Sequence, residues 1–526
     1  MQEKIIEAMC RPDFYPDRPR TVELIKTHIS WVLIAGDFVY KVKKPVSFGF
    51  LDFSTLAKRK YYCEEEVRLN RRLAAEFYLD VAAIHEDANG NVTLTPTNHI
   101  VEYAVLMKKL PEDKMLKSLL AQGRAPDRIF DDLGKKIADF HARAETSERI
   151  SQMGLPEMIR KSHEENFSEM AGYLDVTIPA DQYAFIKNYD ESFIARKRGL
   201  LKKRVADGKI RECHGDLHLE HICMTEEIAI FDCIEFNERF RCVDTAAEVA
   251  FLSMDMDLNG YPEKGERFIH SYVRHSGDSD ALALLDFYRC YYAFVRGKVA
   301  SLRLAQREEA IAKRLDLMEE SEKYFNLAYR YAARLDRPVL LMTAGLTGTG
   351  KSYLARELSL MMNAEVIRTD VLRKELLDMD STQRQLDDFG RGIYSDEMTG
   401  RTYDRAFDLV AARIKNNKAV IMDASFKRRA DRDRAVALAA SLGVDYYLIE
   451  CVSPEEMVQE RLSKRKREGA DASDGRWEIY LRQKLDFDEI NEIPAEHYLR
   501  LDGSLDFKTQ LDKIVKKISA SASATT

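Results

Sequence analysis

The chain has 526 residues, room for two or three domains of ordinary size. Hydrophobic residues make up 45% and charged residues 32%, the balance of a soluble globular protein. A net charge of −7 offers no basic field for nucleic acid, and no apolar run approaches the roughly 18 residues of a membrane helix. The start MQEKIIEAMC is charged and lacks a signal-peptide core, so a cytoplasmic enzyme is expected. Eight scattered cysteines without a C-x-x-C pair fit a reducing compartment.

In chain order, HISWVLIAG and DFVYKVKKPV read as strands joined by a Gly-Asp turn. Thr55 to Ala75 carries helical periodicity, with Leu56, Val67, Leu69 and Leu73 apolar among many charges. VTLTP and VEYAVLMKKLP predict two more strands, and the chain from Asp113 to about Lys203 is helical. GKIRECHGDLHLEHICMTEEIAIFDCIEF returns to short strands and turns, and Asp244 to about Arg334 is helical again. Near Asp336 and Arg337 the character changes. PVLLMTAG is a continuous apolar strand of the buried parallel kind, followed by AEVIRTD, KAVIMDAS and VDYYLIECV between helical stretches. The expected domains are therefore 1–335 and 336–526, with SASATT as a low-complexity tail.

In the first domain, ECHGDLHLEHICM places Asp216 where a base could take a proton from a hydroxyl. Kinase loops of the H-R-D-x-x-x-x-N kind carry a metal-binding Asn five residues on, where this chain has His221. Imidazole suits softer metals than Mg²⁺, which leaves three readings. The site works with one metal held by Asp232, or His221 bonds the loop backbone, or the domain binds nucleotide without turning it over. IAIFDCIEF supplies Asp232 at a strand end, in the place of the D-F-G aspartate, with Cys233 and Ile234 replacing Phe-Gly. Val39, Lys41 and Lys43 share a strand face. Lys41 is the candidate phosphate-contacting lysine, with Lys43 in reserve. Glu65 or Glu66 of the next helix would pair with it, Glu66 being the pocket choice. EYAVLMKKLP would be the adenine-binding hinge. His141 reads as a structural helix histidine. Cys213, Cys223, Cys233 and Cys242, near His214, His218 and His221, lack the paired short spacings of a zinc site.

In the second domain, Gly345, Leu346, Thr347, Gly348, Thr349, Gly350, Lys351 and Ser352 fit G-x-x-x-x-G-K-S between a strand and a helix. Backbone N–H groups of such a loop cradle phosphates, the lysine reaches the β/γ-phosphates, and the serine hydroxyl binds Mg²⁺. VIRTDVLRKEL sets Asp370 as a base and Arg373 as an anion clamp beyond a strand's carboxyl end. Asp423, ending KAVIMD, suits the metal or its water. Arg461 and Arg465 lie one helical turn apart as clamps on transferring phosphate, the plainer reading of their basic run being a solvated helix face.

These second-domain residues resemble the small P-loop kinases that include gluconate kinase, zeta toxin, chloramphenicol phosphotransferase and polynucleotide 5′-kinases. That resemblance implies that Asp370 is the base and that the lid arginines close over ATP. Residues of about 30–330 resemble the aminoglycoside phosphotransferase family, a small-molecule branch of the protein-kinase-like fold. The whole layout, through THISWVLIAGDFVYKVKKPVSFGFLDFSTL and FDCIEFNERFR, is similar to a bacterial group joining the two. The implied fold is a protein-kinase-like bilobal domain followed by a P-loop parallel α/β domain. The implied activity is a bifunctional, ATP- and Mg²⁺-dependent phosphotransferase acting on a small hydroxyl-bearing molecule. A polynucleotide kinase and an ATP-binding regulator with a pseudokinase first domain are the alternatives. Acceptor pockets are expected around Tyr288–Lys298 and Ser381–Tyr403.

Overall fold

The computed structural model describes residues 2–304, 311–377, 379, 395–468 and 476–521. The chain divides into two compact units, Met1–Tyr329 and Arg330–Thr526. The tail beyond Ser521, residues 381–394 of the second expected acceptor region, and the Arg465 side chain lie outside the described residues.

The first unit carries a six-stranded antiparallel sheet. Its strands are β1 (Val22–Lys26), β2 (Ser30–Ala35), β3 (Phe38–Lys43), β4 (Tyr78–Glu86), β5 (Val92–Thr93) and β6 (Ile100–Lys108), in the order β1-β2-β3-β6-β4-β5. β1 and β4 are absent from the sequence reading, for physical reasons. β1 is an edge strand with mostly exposed side chains, so it lacks an apolar alternation. β4 has a register shift between Tyr78 and Asp80 that breaks its period of two.

Across the sheet lies α1 (Leu56–Ala74), whose first turn is capped by Thr55 accepting from the Lys58 N–H at 3.3 Å. Its buried stripe runs Cys63, Glu66, Val67, Asn70, Leu73 and Ala74, the three-and-four spacing of one helix face. Two of those positions are polar. A buried glutamate needs a cation, and the facing strand supplies two.

The rest of the unit is mainly helical. α2 (Arg128–Arg143), α3 (Thr245–Leu258), α4 (Pro262–Ser276) and α5 (Leu285–Leu304) build its core around Leu133, Ile137, Leu252, Phe268 and Phe287. Two small antiparallel ladders frame the HGDLH loop: β7 (Ile210–Glu212) with β10 (Cys242–Asp244), and β8 (Ile222–Met224) with β9 (Ile228–Ile230). α6 (Ile311–Ala333) leads out of the unit.

The second unit is a parallel sheet of β11 (Val339–Ala344), β12 (Glu365–Arg368), β13 (Val420–Asp423), β14 (Asp445–Val452) and β15 (Tyr498–Asp502), ordered β12-β13-β11-β14-β15. Every residue of β11 and β13 is buried, which is why both read as mainly apolar runs, with Thr343 and Asp423 as their polar residues. β15 escapes sequence reading because it is a half-buried edge strand with polar residues. α7 (Lys351–Met362), α8 (Thr369–Glu375), α9 (Asp396–Lys415), α11 (Glu455–Glu468) and α12 (Trp477–Leu485) carry the residues of interest, with α10 (Arg429–Leu442) between α9 and β14.

Candidate active sites

In the first unit the strand face and helix stripe meet as the sequence requires. Lys41 Nζ lies 2.8 Å from Glu66 Oε1 and 2.7 Å from Asp232 Oδ1. Lys43 Nζ lies 2.7 Å from Glu66 Oε2 and pairs also with Glu235. Glu66 therefore stands between both lysines, whereas Glu65 turns outward to Arg68 at 2.9 Å. Burial alone would raise the Glu66 carboxyl, but Lys41 and Lys43 hold it below its ordinary range. Of the two lysines, Lys41 reaches Asp232 at the cleft and Lys43 is sealed off.

Asp232 sits two residues beyond β9 at φ +63°, a left-handed conformation uncommon for aspartate. Its N–H donates to the Tyr78 hydroxyl at 3.1 Å, and the next N–H, of Cys233, donates to Asn70 Oδ1 at 2.9 Å. Helix α1 and strand β4 thus fix the strained turn that aims the carboxylate into the cleft. Burial opposes its charge, but Lys41 keeps it strongly acidic.

The HGDLH loop is held from below by Glu248, buried on α3 at 1% exposure. One Glu248 oxygen accepts the His214 N–H at 2.6 Å and the Gly215 N–H at 2.8 Å. Its other oxygen meets His141 Nε2 at 2.8 Å, and His141 Nδ1 meets the Tyr272 hydroxyl at 3.0 Å. His141 is thus a supporting residue, and Glu248 is one that sequence reasoning missed. The available signal was a lone glutamate inside the apolar run DTAAEVAFLSM. Gly215 adopts φ +87°, and a Cβ there would come within 2.9 Å of the Phe240 carbonyl oxygen.

Above Glu248, His214 donates from Nε2 to the Phe231 carbonyl at 2.9 Å, while Nδ1 accepts the Asp216 N–H at 3.3 Å. Burial pushes its pKa down to about 4, so the ring is neutral. Asp216 lies 3.5 Å from His218 Nε2. Burial works against its charge, but the His218 contact, with Arg296, holds it well below the carboxylate range. It is therefore ionised near pH 7, as a proton acceptor must be.

His221 bonds the loop backbone: its Nδ1 lies 2.9 Å from the Asp216 carbonyl oxygen. A carbonyl only accepts, so Nδ1 carries the proton, and burial keeps the ring neutral. The Nε2 lone pair then faces Asp232 Oδ2 at 3.6 Å. Two electron-rich atoms facing each other invite a cation between them. Cys213, Cys223, Cys233 and Cys242 are buried, and burial pushes the thiols of Cys233 and Cys242 up to about 12 and about 11.

In the second unit the sheet register assembles the site. Thr343 and Arg368 flank Asp423 on one rung of neighbouring strands. The Thr343 hydroxyl donates to Asp423 Oδ1 at 3.1 Å, and Arg368 Nε lies 3.3 Å from Oδ2. The phosphate loop follows β11 directly. Gly345 has φ +130°, and a Cβ there would meet the Cys451 carbonyl oxygen at 2.4 Å. Lys351 Nζ donates to the Leu346 carbonyl at 2.8 Å, and Ser352 opens α7 beside it. The Thr347 N–H of the loop donates to Gln483 Oε1 of α12 at 2.8 Å. Asp370, half-buried, and Arg373, buried with Nη1 3.1 Å from the Thr399 hydroxyl, both lie on α8, which follows β12. Arg461 Nη1 donates to Ser453 Oγ at 3.0 Å, and Ser453 Oγ reaches the Thr349 carbonyl at 3.4 Å. Arg461 is thereby tied to the loop.

The phosphotransferase enzyme family model matches residues 50–293, across the Lys41-adjacent helix and the HGDLH loop, and an AAA domain model matches residues 340–490. The chain joins a phosphotransferase-family domain to a P-loop kinase domain. It is a kinase. The uncharacterized protein Rv2004c of Mycobacterium tuberculosis is 28% identical over 454 residues, 86% of this chain and 88% of its own length. Among solved structures, a choline/ethanolamine kinase family protein from Mesorhizobium loti is 12% identical, covering 62% of this chain and 99% of that one, with a TM-score of 0.34. A gluconokinase from Sinorhizobium meliloti is 15% identical over 36% of this chain and 95% of that one, with a TM-score of 0.26. No described helix is long and apolar enough to cross a membrane.

Proposed function

We propose that both modules, 1–335 and 336–526, transfer the γ-phosphoryl group of ATP to a hydroxyl of a small molecule. The observation that carries this for the first module is the linked set Lys41–Glu66–Asp232 beside an ionised Asp216. In the transfer, the acceptor hydroxyl gives its proton to Asp216 Oδ, its oxygen forms a bond to the γ-phosphorus, and the bond from phosphorus to the β–γ bridging oxygen breaks to release ADP. Lys41 serves as the phosphate-contacting cation, with Glu66 orienting it. Asp370 plays the part of Asp216 in the second module, where Lys351, Arg373 and the lid arginines Arg461 and Arg465 face phosphate charge.

The donor sets suit a divalent cation. Asp232 and His221 offer oxygen and nitrogen in the first module, and Ser352 and Asp423 offer oxygen in the second, the harder set that Mg²⁺ prefers. Bound there, such an ion would neutralise charge on the phosphates. The test is a metabolite pool incubated with γ-labelled ATP and the full chain, followed by mass identification of labelled products. Label in a small molecule that disappears in Asp216→Asn or Asp370→Asn supports the reading. Label confined to RNA or DNA, lost as salt rises, would replace it with a polynucleotide kinase.

A further inference from the structure

Beside Asp216 lies a cation that the phosphate-transfer chemistry above does not use. α5 turns Tyr292 and Arg296, one helical turn apart, along one face. Tyr292 stacks on Phe251 of α3 with ring centroids 4.4 Å apart at 7°. Phe251 in turn lies 6.1 Å from the ring of His218, which touches Asp216. Arg296 is half-buried, and its Nε lies 3.3 Å from the hydroxyl of Tyr324 on α6. Asp216, His218, Glu220 and Asp255 all lie near enough for its charge to act on them or theirs on it.

Two other cations of this helix have carboxylate partners. Arg289 pairs with Glu266 at 3.2 Å and Lys298 with Glu169 at 2.5 Å. Arg296 has no carboxylate within 4.0 Å among the described residues; its guanidinium lies over the Tyr324 ring, 5.7 Å from the centroid, and Nε makes the hydrogen bond to the hydroxyl of that residue. Its two terminal nitrogens carry four further N–H donors in a planar fork. An arginine that only balanced Asp216 or Asp255 would be expected to close on one of them, as Arg204 does on Asp244 at 2.6 Å.

We propose that the acceptor of the first module carries an anionic group, carboxylate or phosphate, which Arg296 and Tyr324 hold so that its hydroxyl lies at Asp216. This rests on the kinase reading of that module, but the binding site can be tested apart from turnover. Arg296 is a specificity residue in this scheme: it touches the acceptor and leaves the nucleotide alone.

The binding arm uses the full chain with its nucleotide sites filled by AMP-PNP and Mg²⁺, titrated calorimetrically with inorganic phosphate and, separately, with acetate. The tighter of the two anions distinguishes a phosphate from a carboxylate partner. Arg296→Ala should weaken that binding at least about tenfold, Arg296→Lys, which loses the fork but keeps the charge, less, and Asp216→Asn, which only removes a nearby negative charge, should not weaken it. Equal binding in Arg296→Ala, or none in the unmodified chain, overturns the proposal. The transfer arm uses the chain with Lys351→Ala and a metabolite pool split by anion exchange. Labelled product should come from the retained fraction and fall with Arg296→Ala through KM more than kcat. A labelled acceptor from the unretained fraction overturns the proposal. Anion binding that depends on Arg296 without any label supports the site and rejects the kinase reading.

Discussion

Glu248→Ala removes the acceptor for two loop N–H groups, those of His214 and Gly215, and the partner of His141. Each buried donor left unsatisfied costs about 1–3 kcal/mol. Gly215 is half-buried, so water can reach its amide, and removing a buried carboxylate relieves part of its own desolvation cost. The net loss should be about 2–4 kcal/mol, which for a unit of this size lowers the thermal midpoint by roughly 4–10 °C. Freed from its anchor, the loop no longer fixes Asp216, and a displacement of about 1 Å costs about 100-fold in rate. Glu248→Gln keeps one oxygen for both amides, while its NH₂ asks His141 to accept, which the imidazole can do by donating from Nδ1 to Tyr272 instead. It should recover most of the stability. The assay is scanning calorimetry together with turnover of the full chain carrying Lys351→Ala, so that only the first module contributes. An alanine variant with an unchanged midpoint and unchanged rate would refute the anchoring argument.

Three further outcomes follow from the geometry. Lys351→Ala should lower turnover of the second module by about 100–1,000-fold, the cost of losing one charged donor to the transition state, measured as the Asp370-dependent rate; equal rates would remove it from catalysis. Asp216→Asn and Asp232→Asn should each cost the first module at least about two orders of magnitude, whereas His221→Asn should keep or raise the rate in Mg²⁺ and lower the Mn²⁺/Mg²⁺ ratio. A fall as deep as that of Asp216→Asn would mean that the bond from Nδ1 to the Asp216 carbonyl matters more than metal preference. His214 has a folded pKa of about 4 against about 6.5 unfolded. Between these values the unfolded chain binds the extra proton, so stability is present above about pH 6.5 and falls as pH drops toward 4. His221 acts in the same direction and His218, raised by Asp216 against its burial, in the opposite one. The midpoint of His214→Gln should therefore show a flatter slope across that window.

Both architectures were legible because their strongest signals are local. β11 and β13 are buried on both faces and spell it out in consecutive apolar residues. Glycines at Gly215 and Gly345 mark backbone that no side chain tolerates. The choice between Glu65 and Glu66 was open in the sequence, because either could face the strand until the helix phase was known. Cys63, Val67, Asn70 and Ala74 set that phase and turn Glu66 inward. Glu248 showed only as a lone glutamate in an apolar run and nothing marked Arg296, since their partners lie 34 and 28 residues away in the chain. A helix pattern shows which face is buried and says nothing of what lies opposite it. Edge strands β1 and β15 were lost for the related reason that half-exposed strands carry half a pattern.

The bond from Thr347 N–H to Gln483 has an optical consequence. If a phosphate entering the loop takes that N–H, Gln483 must let go. The same short helix carries Trp477, stacked on Tyr480 at 5.1 Å, and the chain has only one other tryptophan, Trp31, in the first unit. Nucleotide arrival at the second module would then be felt by an indole about a turn and a half away. With Trp31→Phe as background, the emission of a single fluorophore should report occupancy of the phosphate loop without any label, substrate or coupled enzyme.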